Sequence, residues 1–310
     1  MSMGLCNWAP MPSSSSRPAS DPERFAFFDT MLGRKPIPTP THLTGVLYIP
    51  CHDNDTHHLP MYEAGDSYRR AVGNSQLGST LYAVKLSAAC KPRGDGTSHP
   101  VLYHANMQRA VNSDDGVTVS VQKRELGNQG RETRMTLASS SDGKPFGISI
   151  ESPKESITME TFFPIPPSNR AGELIHHPYF RLDIPSINND TSSTTRLEWQ
   201  IHPIEDGPLR YALVDKGRPG DTITQIRAIY HDAGCSKPLS HGRNEGVLLL
   251  PEWAQSGREE EEAAHMEGIV VASILGVLWQ VRALQGGVSV PPRQGKHLGQ
   301  FRRVLARIRG

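Results

Sequence analysis

GIVVASILGVLW, Gly268 to Trp279, is a run of twelve residues without a charge in a chain that is otherwise polar and rich in turns. What lies on either side defines it as the middle of a helix. Upstream, Ser256-Gly257-Arg258-Glu259 has the form of a capping box, and Glu259 to Glu262 set negative charge against the positive end of a helix dipole. Downstream, Gly286-Gly287 stops the pattern, so the expected helix runs from about Ser256 to Leu284. Glu267 and Arg282 bracket its apolar middle, which at the helical rise is about 18 Å long, against about 30 Å for a hydrocarbon core. A helix apolar on every side also fits poorly on a surface. The reading that remains is burial inside the protein, with Gly268, Ala272 and Gly276, spaced by four, forming a small-residue stripe for close approach to a wall.

The sequence ahead of this helix supplies candidates for that wall. Val117, Val119 and Val121 alternate with Thr118 and Ser120; Ile157, Met159, Thr161 and Phe163 alternate with Thr158 and Glu160; Leu197, Trp199 and Ile201 alternate with Arg196, Glu198 and Gln200. Alternation of this kind marks strands with one buried face. Further strands are expected at Thr80 to Ser87, Val101 to Met107, Thr133 to Ala138, Leu209 to Asp215 and Thr222 to Tyr230, with turns at SDDG, SSSDGKP, EDGP and KGRPG. A series of strands followed by one helix predicts a mainly β fold: an antiparallel barrel closed around the hydrophobic C-terminal helix. The three segments expected are a disordered Ser/Pro-rich region over residues 1–62, the barrel domain over 63–285 with its central helix, and a basic tail over 286–310.

Composition excludes several classes of function. Lys and Arg total 33 and Asp and Glu 32, so the chain lacks the basic excess of a dedicated nucleic-acid binder and no nucleic-acid partner is expected. Cys6, Cys51, Cys90 and Cys235 lack paired spacing, which suits reduced thiols and a cytoplasmic location. No phosphate-binding glycine motif occurs, and Ser75 in GNSQLG lacks the spacing of a nucleophile elbow. CHDNDTHH, Cys51 to His58, gathers a thiol, three imidazoles and two carboxylates, yet has no second ligand pair at zinc-site spacing and is expected to be a solvated loop. Asp215, Asp221 and Asp232 lack the ligand order of a calcium loop, and His176 and His177 before Pro178 are expected in a turn. No catalytic, metal or cofactor site is expected.

RLEWQ at 196–200, GPLRYALVD at 207–215, IRAIYH at 226–231, EGVLLLP at 245–251 and EGIVVASILGVLW at 267–279 resemble uncharacterised fungal proteins of the superfamily that unites tubby C-terminal domains, phospholipid scramblases and LURP-one-related proteins. The resemblance covers about residues 68–284. It implies a barrel around a hydrophobic helix and, by analogy, binding at membranes, with phosphoinositide or another anionic lipid as ligand.

The tail fits that expectation. Arg302, Arg303, Arg307 and Arg309 surround Phe301, Val304, Leu305 and Ile308, which fall on one helical face, and no acid occurs from Pro291 to Gly310. This is the pattern of an interfacial helix, and it nominates these eight residues as lipid-binding; the same apolar face could instead dock on the barrel. Three readings follow: a non-enzymatic tubby-like protein bound peripherally to an anionic membrane, a protein-interaction module whose N-terminal region carries the partner motif, and an enzyme whose site has no linear motif.

Overall fold

The computed structural model describes residues 22–31, 36–89, 100–109, 116–124, 132–138, 147–162, 179–185, 194–202, 210–216, 225–233, 243–251 and 258–286. Twelve strands form the barrel: β1 (Gly45–His52), β2 (His58–Glu63), β3 (Val101–Arg109), β4 (Gly116–Lys123), β5 (Glu132–Ala138), β6 (Gly147–Glu151), β7 (Ser156–Phe162), β8 (Tyr179–Pro185), β9 (Thr194–His202), β10 (Arg210–Asp215), β11 (Gln225–Asp232) and β12 (Asn244–Leu250). Each strand pairs with its neighbours in sequence, and β1 closes on β12, so every pairing is antiparallel. An even number of strands is what lets an up-and-down meander close this way, and closure leaves no edge to template aggregation.

The central helix, α4 (Arg258–Gly286), lies within this barrel. Inward residues of every strand, among them Met135, Ile148, Trp199, Tyr211 and Leu248, join Ile269, Val270, Val271, Ile274, Leu275, Val277 and Leu278 of α4 in one core. Each such side chain, fully buried, contributes about 1.5–3 kcal/mol of hydrophobic stabilisation. The small-residue stripe does what its spacing predicts. A Cβ on Gly276 would stand 2.7 Å from Met135 Sδ and 3.3 Å from Ile148 Cδ1, and one on Gly268 would stand 2.7 Å from Thr133 Oγ1. One buried polar link fixes the helix's rotation: Trp199 Nε1 donates to Ser273 Oγ at 2.8 Å, and Ser273 Oγ donates to Val270 O at 2.9 Å.

Length alone is a weaker argument about this helix than the charge-free core suggests. Glu262–Arg282 is long and apolar enough to cross a membrane by those criteria, and 83% of its most apolar window is buried. Enclosure by strands therefore decides the matter. The outer face of β7–β11 carries cross-strand ion pairs, Arg181 with Glu160, Arg196 with Asp183 at 3.1 Å and Arg227 with Asp215 at 2.7 Å, which is the chemistry of a sheet facing water.

Three expectations need correction. The barrel begins at Gly45, not after Tyr62, since β1 and β2 lie within the segment read as a tail. Thr80 to Ser87 is not a strand but most of α3 (Thr80–Ala89), where Tyr82 and Leu86, four apart, share the buried face. Its start is capped by Ser79, whose hydroxyl accepts from Tyr82 N at 3.0 Å. Ahead of it, α1 (Pro22–Met31) sends Asp29 to accept from both the amide and the hydroxyl of Thr80, at 2.7 and 2.6 Å, so part of the N-terminal region is a helix tied to the domain. With α2 (Gly65–Val72), α3 covers the outer face of β1, β11 and β12, burying Val46, Ile229, Val247 and Leu249 against Tyr68, Val72, Leu77 and Tyr82.

Candidate functional site

With its interior filled by α4, the barrel offers its two mouths as places for a site. At the mouth where α4 enters, the ends of β3, β4 and β5, the β6–β7 turn and the first turns of the buried helix enclose a pocket of about 220 Å³. Tyr103, Lys123, Thr133, Lys154, His265 and Gly268 are among its lining residues. Two polar side chains of the helix are bonded to the barrel wall. Lys123 Nζ donates to Glu267 Oε2 at 2.8 Å while lying 5.8 Å from the centre of the Tyr103 ring, and His265 Nε2 meets Glu155 Oε1 at 3.0 Å. Lys154 sits exposed on the turn. Gly268 serves the pocket directly, since any side chain there would meet Thr133. Two lysines lining the same pocket as Val121 and Ala264 suit an anionic group with a short apolar extension.

The opposite mouth is closed by Arg282. Although only 6% exposed, its guanidinium is held by neutral groups: Nε donates to Asn54 Oδ1 at 2.6 Å, Nη1 donates to Asn244 Oδ1 at 2.5 Å, and Nη1 also lies 3.3 Å from His52 Nε2. Burial pulls the Arg282 pKa down to about 10, with nearby Tyr230, Tyr211, Asp53 and Asp232 acting in the other direction. His52 passes a hydrogen to Pro50 O at 2.9 Å through Nδ1, leaving Nε2 to accept from Arg282. Burial, and then the adjacent guanidinium, lowers its pKa to about 4, so His52 is neutral at physiological pH. Asn244 in turn donates to Asp232 Oδ2 at 3.1 Å.

CHDNDTHH is therefore the ordered β1–β2 hairpin. Asp53 Oδ1 accepts from Thr56 Oγ1 at 2.9 Å and from Asp55 N at 3.2 Å, Asp53 Oδ2 accepts from Arg243 at 3.2 Å, and the turn aims His52 and Asn54 at Arg282. His58 stacks on His104 with ring centres 5.2 Å apart, and Cys51 is exposed and free. Among the described residues, no three His, Cys, Asp or Glu side chains converge as metal ligands. Asp215 is bonded to Arg227 and Ser75 accepts from Lys85 at 2.9 Å, while Asp221, His176 and His177 lie outside the described residues. So do Arg302, Arg303, Arg307, Arg309, Phe301, Val304, Leu305 and Ile308, the whole nominated lipid-binding face.

Neither mouth is legible as a linear motif. Lys123 ends its strand and Lys154 follows a proline, two ordinary positions for an exposed lysine. The one available signal was Arg282 itself, the cation that closes the charge-free stretch of the helix.

The fold and its two mouths define a closed antiparallel barrel with a helical core and a mixed polar and apolar entrance. Compared with protein-family models, with curated proteins and with solved structures, the chain finds no match.

Proposed function

We propose that this is a non-enzymatic, cytoplasmic tubby-like barrel that docks on an anionic membrane surface and takes a phosphorylated lipid headgroup, such as a phosphoinositide, at the mouth where α4 enters. The observation that carries the reading is the pocket itself, which Lys123 and Lys154 line together with apolar side chains such as Val121 and Ala264. The basic residues of the tail add a second, less specific attraction worth about 1 kcal/mol per charge near the surface.

Sedimentation of the full chain with vesicles containing anionic lipid tests this. Lys123→Gln with Lys154→Gln should abolish preference for phosphoinositide over other anionic lipids, while removal of residues 291–310 should weaken binding to all of them. Changing Arg302, Arg303, Arg307 and Arg309 to Gln should cost up to about 4 kcal/mol, and raising salt from about 0.05 to about 0.5 M should act in the same direction. Equal pelleting with neutral and anionic vesicles, or none with either, rejects membrane docking. The adaptor reading has one observation in its favour, Phe27 of α1, which is 62% exposed on the N-terminal region. It predicts a partner whose binding is lost in Phe27→Asp.

A further inference from the structure

Arg282 is a buried cation whose described hydrogen-bond partners are all neutral. Asn54 and Asn244 occupy Nε and Nη1, and Nη2, itself buried, has no acceptor among the described residues. Two more buried groups are in the same condition. The hydroxyls of Tyr211 and Tyr230, side chains with no solvent exposure at all, have no hydrogen-bond partner among the described residues. These two residues face one another across β10 and β11, with ring centres 5.6 Å apart in an edge arrangement.

Backbone register brings the three groups to one end of the barrel. Gly246 follows Asn244 by two residues and so faces the same way, and a Cβ on it would stand 2.7 Å from Tyr230 Oη. Glycine at this position is what admits the Tyr230 hydroxyl beside the Asn244–Arg282 pair. Tyr230 and Tyr211, whose phenols burial keeps neutral, lie within electrostatic range of Arg282, as do the carboxylates of Asp53 and Asp232. Neither of those carboxylates bonds to the guanidinium: Asp53 accepts from Thr56 and Arg243, and Asp232, partly exposed at the rim, accepts from Asn244. The inner side of the cluster is thus left with hydrogen-bond donors and a positive charge.

We propose that Arg282 Nη2, Tyr211 Oη and Tyr230 Oη form a binding site for a small monovalent inorganic anion of the chloride class, which plugs the mouth of the barrel opposite the pocket. Buried donors left unbonded cost free energy, and so does a buried guanidinium with no carboxylate bonded to it; one acceptor carrying a single negative charge relieves both. Polyatomic anions with several charges are more strongly hydrated, and burial disfavours them further.

The experiment is thermal unfolding of the full chain at constant ionic strength, with chloride replacing gluconate, an anion too bulky for the site. Binding to the folded state alone raises the melting temperature by about 3 °C for each tenfold rise in chloride above half-saturation. Tyr230→Phe and Tyr211→Phe keep the rings and remove one donor each. Each should shrink the chloride response and melt lower than the parent in chloride. The opposite result, variants that melt at the same or a higher temperature in both salts, marks the hydroxyls as unpaired groups without a ligand and overturns the site. So does a parent indifferent to chloride, or a chloride response that both variants retain in full. Crystals of the parent soaked in bromide should show an anomalous peak within hydrogen-bond reach of Arg282 Nη2; no peak there also rejects it.

Discussion

The two ends of the central helix solve the problem of buried charge in opposite ways. Where α4 enters, Lys123 is matched to Glu267 and His265 to Glu155, and a pocket remains beside the pairs. Where it leaves, Arg282 is tied to Asn54, Asn244 and a neutral His52, and the hairpin folds over it. The entry end keeps its charges near water with space for a ligand. The exit end depends on packing and hydrogen bonds, so the same kind of substitution should be far more damaging there.

The stripe of small residues gives the largest test. Gly276→Leu must push against Ile148 as well as the flexible Met135, and should lower the free energy of unfolding by about 3 kcal/mol or more, read as a shift in the urea midpoint. Gly268→Ala, near the pocket, adds one carbon against Thr133 alone and should cost less, about 1 kcal/mol. Equal losses at the two positions would end the distinction.

A smaller effect should come from pH. His52 titrates near 4 when folded against an ordinary value near 6.5, so protons favour the unfolded chain. Its contribution is complete above pH 6.5 and is lost as pH falls towards 4, amounting to about 3 kcal/mol at most. In His52→Gln, stability should fall less steeply across that window than in the parent, as measured by urea unfolding at a series of pH values. Parallel curves would show that His52 is not held neutral by Arg282.

Smaller again is Ser273→Ala, midway between the ends. It leaves the Trp199 indole N–H buried without its acceptor and should cost about 1–2 kcal/mol. The smallest belongs to the entry end, where Lys123→Met should change stability by less than about 1 kcal/mol because the pair is partly exposed.

The parts of this architecture that could be read from sequence are those with one wet face. β4, β7 and β9 alternate cleanly because their outer residues face solvent, and α4 is plain because it is apolar all round. β1 and β12 do not alternate. Their outer residues Val46, Val247 and Leu249 are buried under α2 and α3, and a strand buried on both sides loses its period of two. Pro50 disguises β1 further, since a proline within a run argues against a strand. α3 misled in the opposite sense: its leucine, tyrosine and valine read as alternation and hid the local Ser79 cap, while the clasp from Asp29 that holds its start is a contact 51 residues apart in the chain. The candidate sites were hidden for the same reason. Arg282 meets Asn54 and Asn244, and Lys123 meets Glu267, only after the barrel has closed.

The closing seam has a consequence for how the chain is made. Gly45 pairs with Leu250, so the first strand to leave the ribosome must wait for the last before the sheet can join. Until α4 follows, the inner residues of every strand surround nothing, and both unjoined strands present bare hydrogen-bonding edges. Pairing between such distant segments makes for slow closure, and the exposed intermediate is one that other chains can adhere to. The plug of the barrel is synthesised after all twelve strands, so truncation upstream of Gly268 should yield an aggregating sheet and not a smaller folded domain.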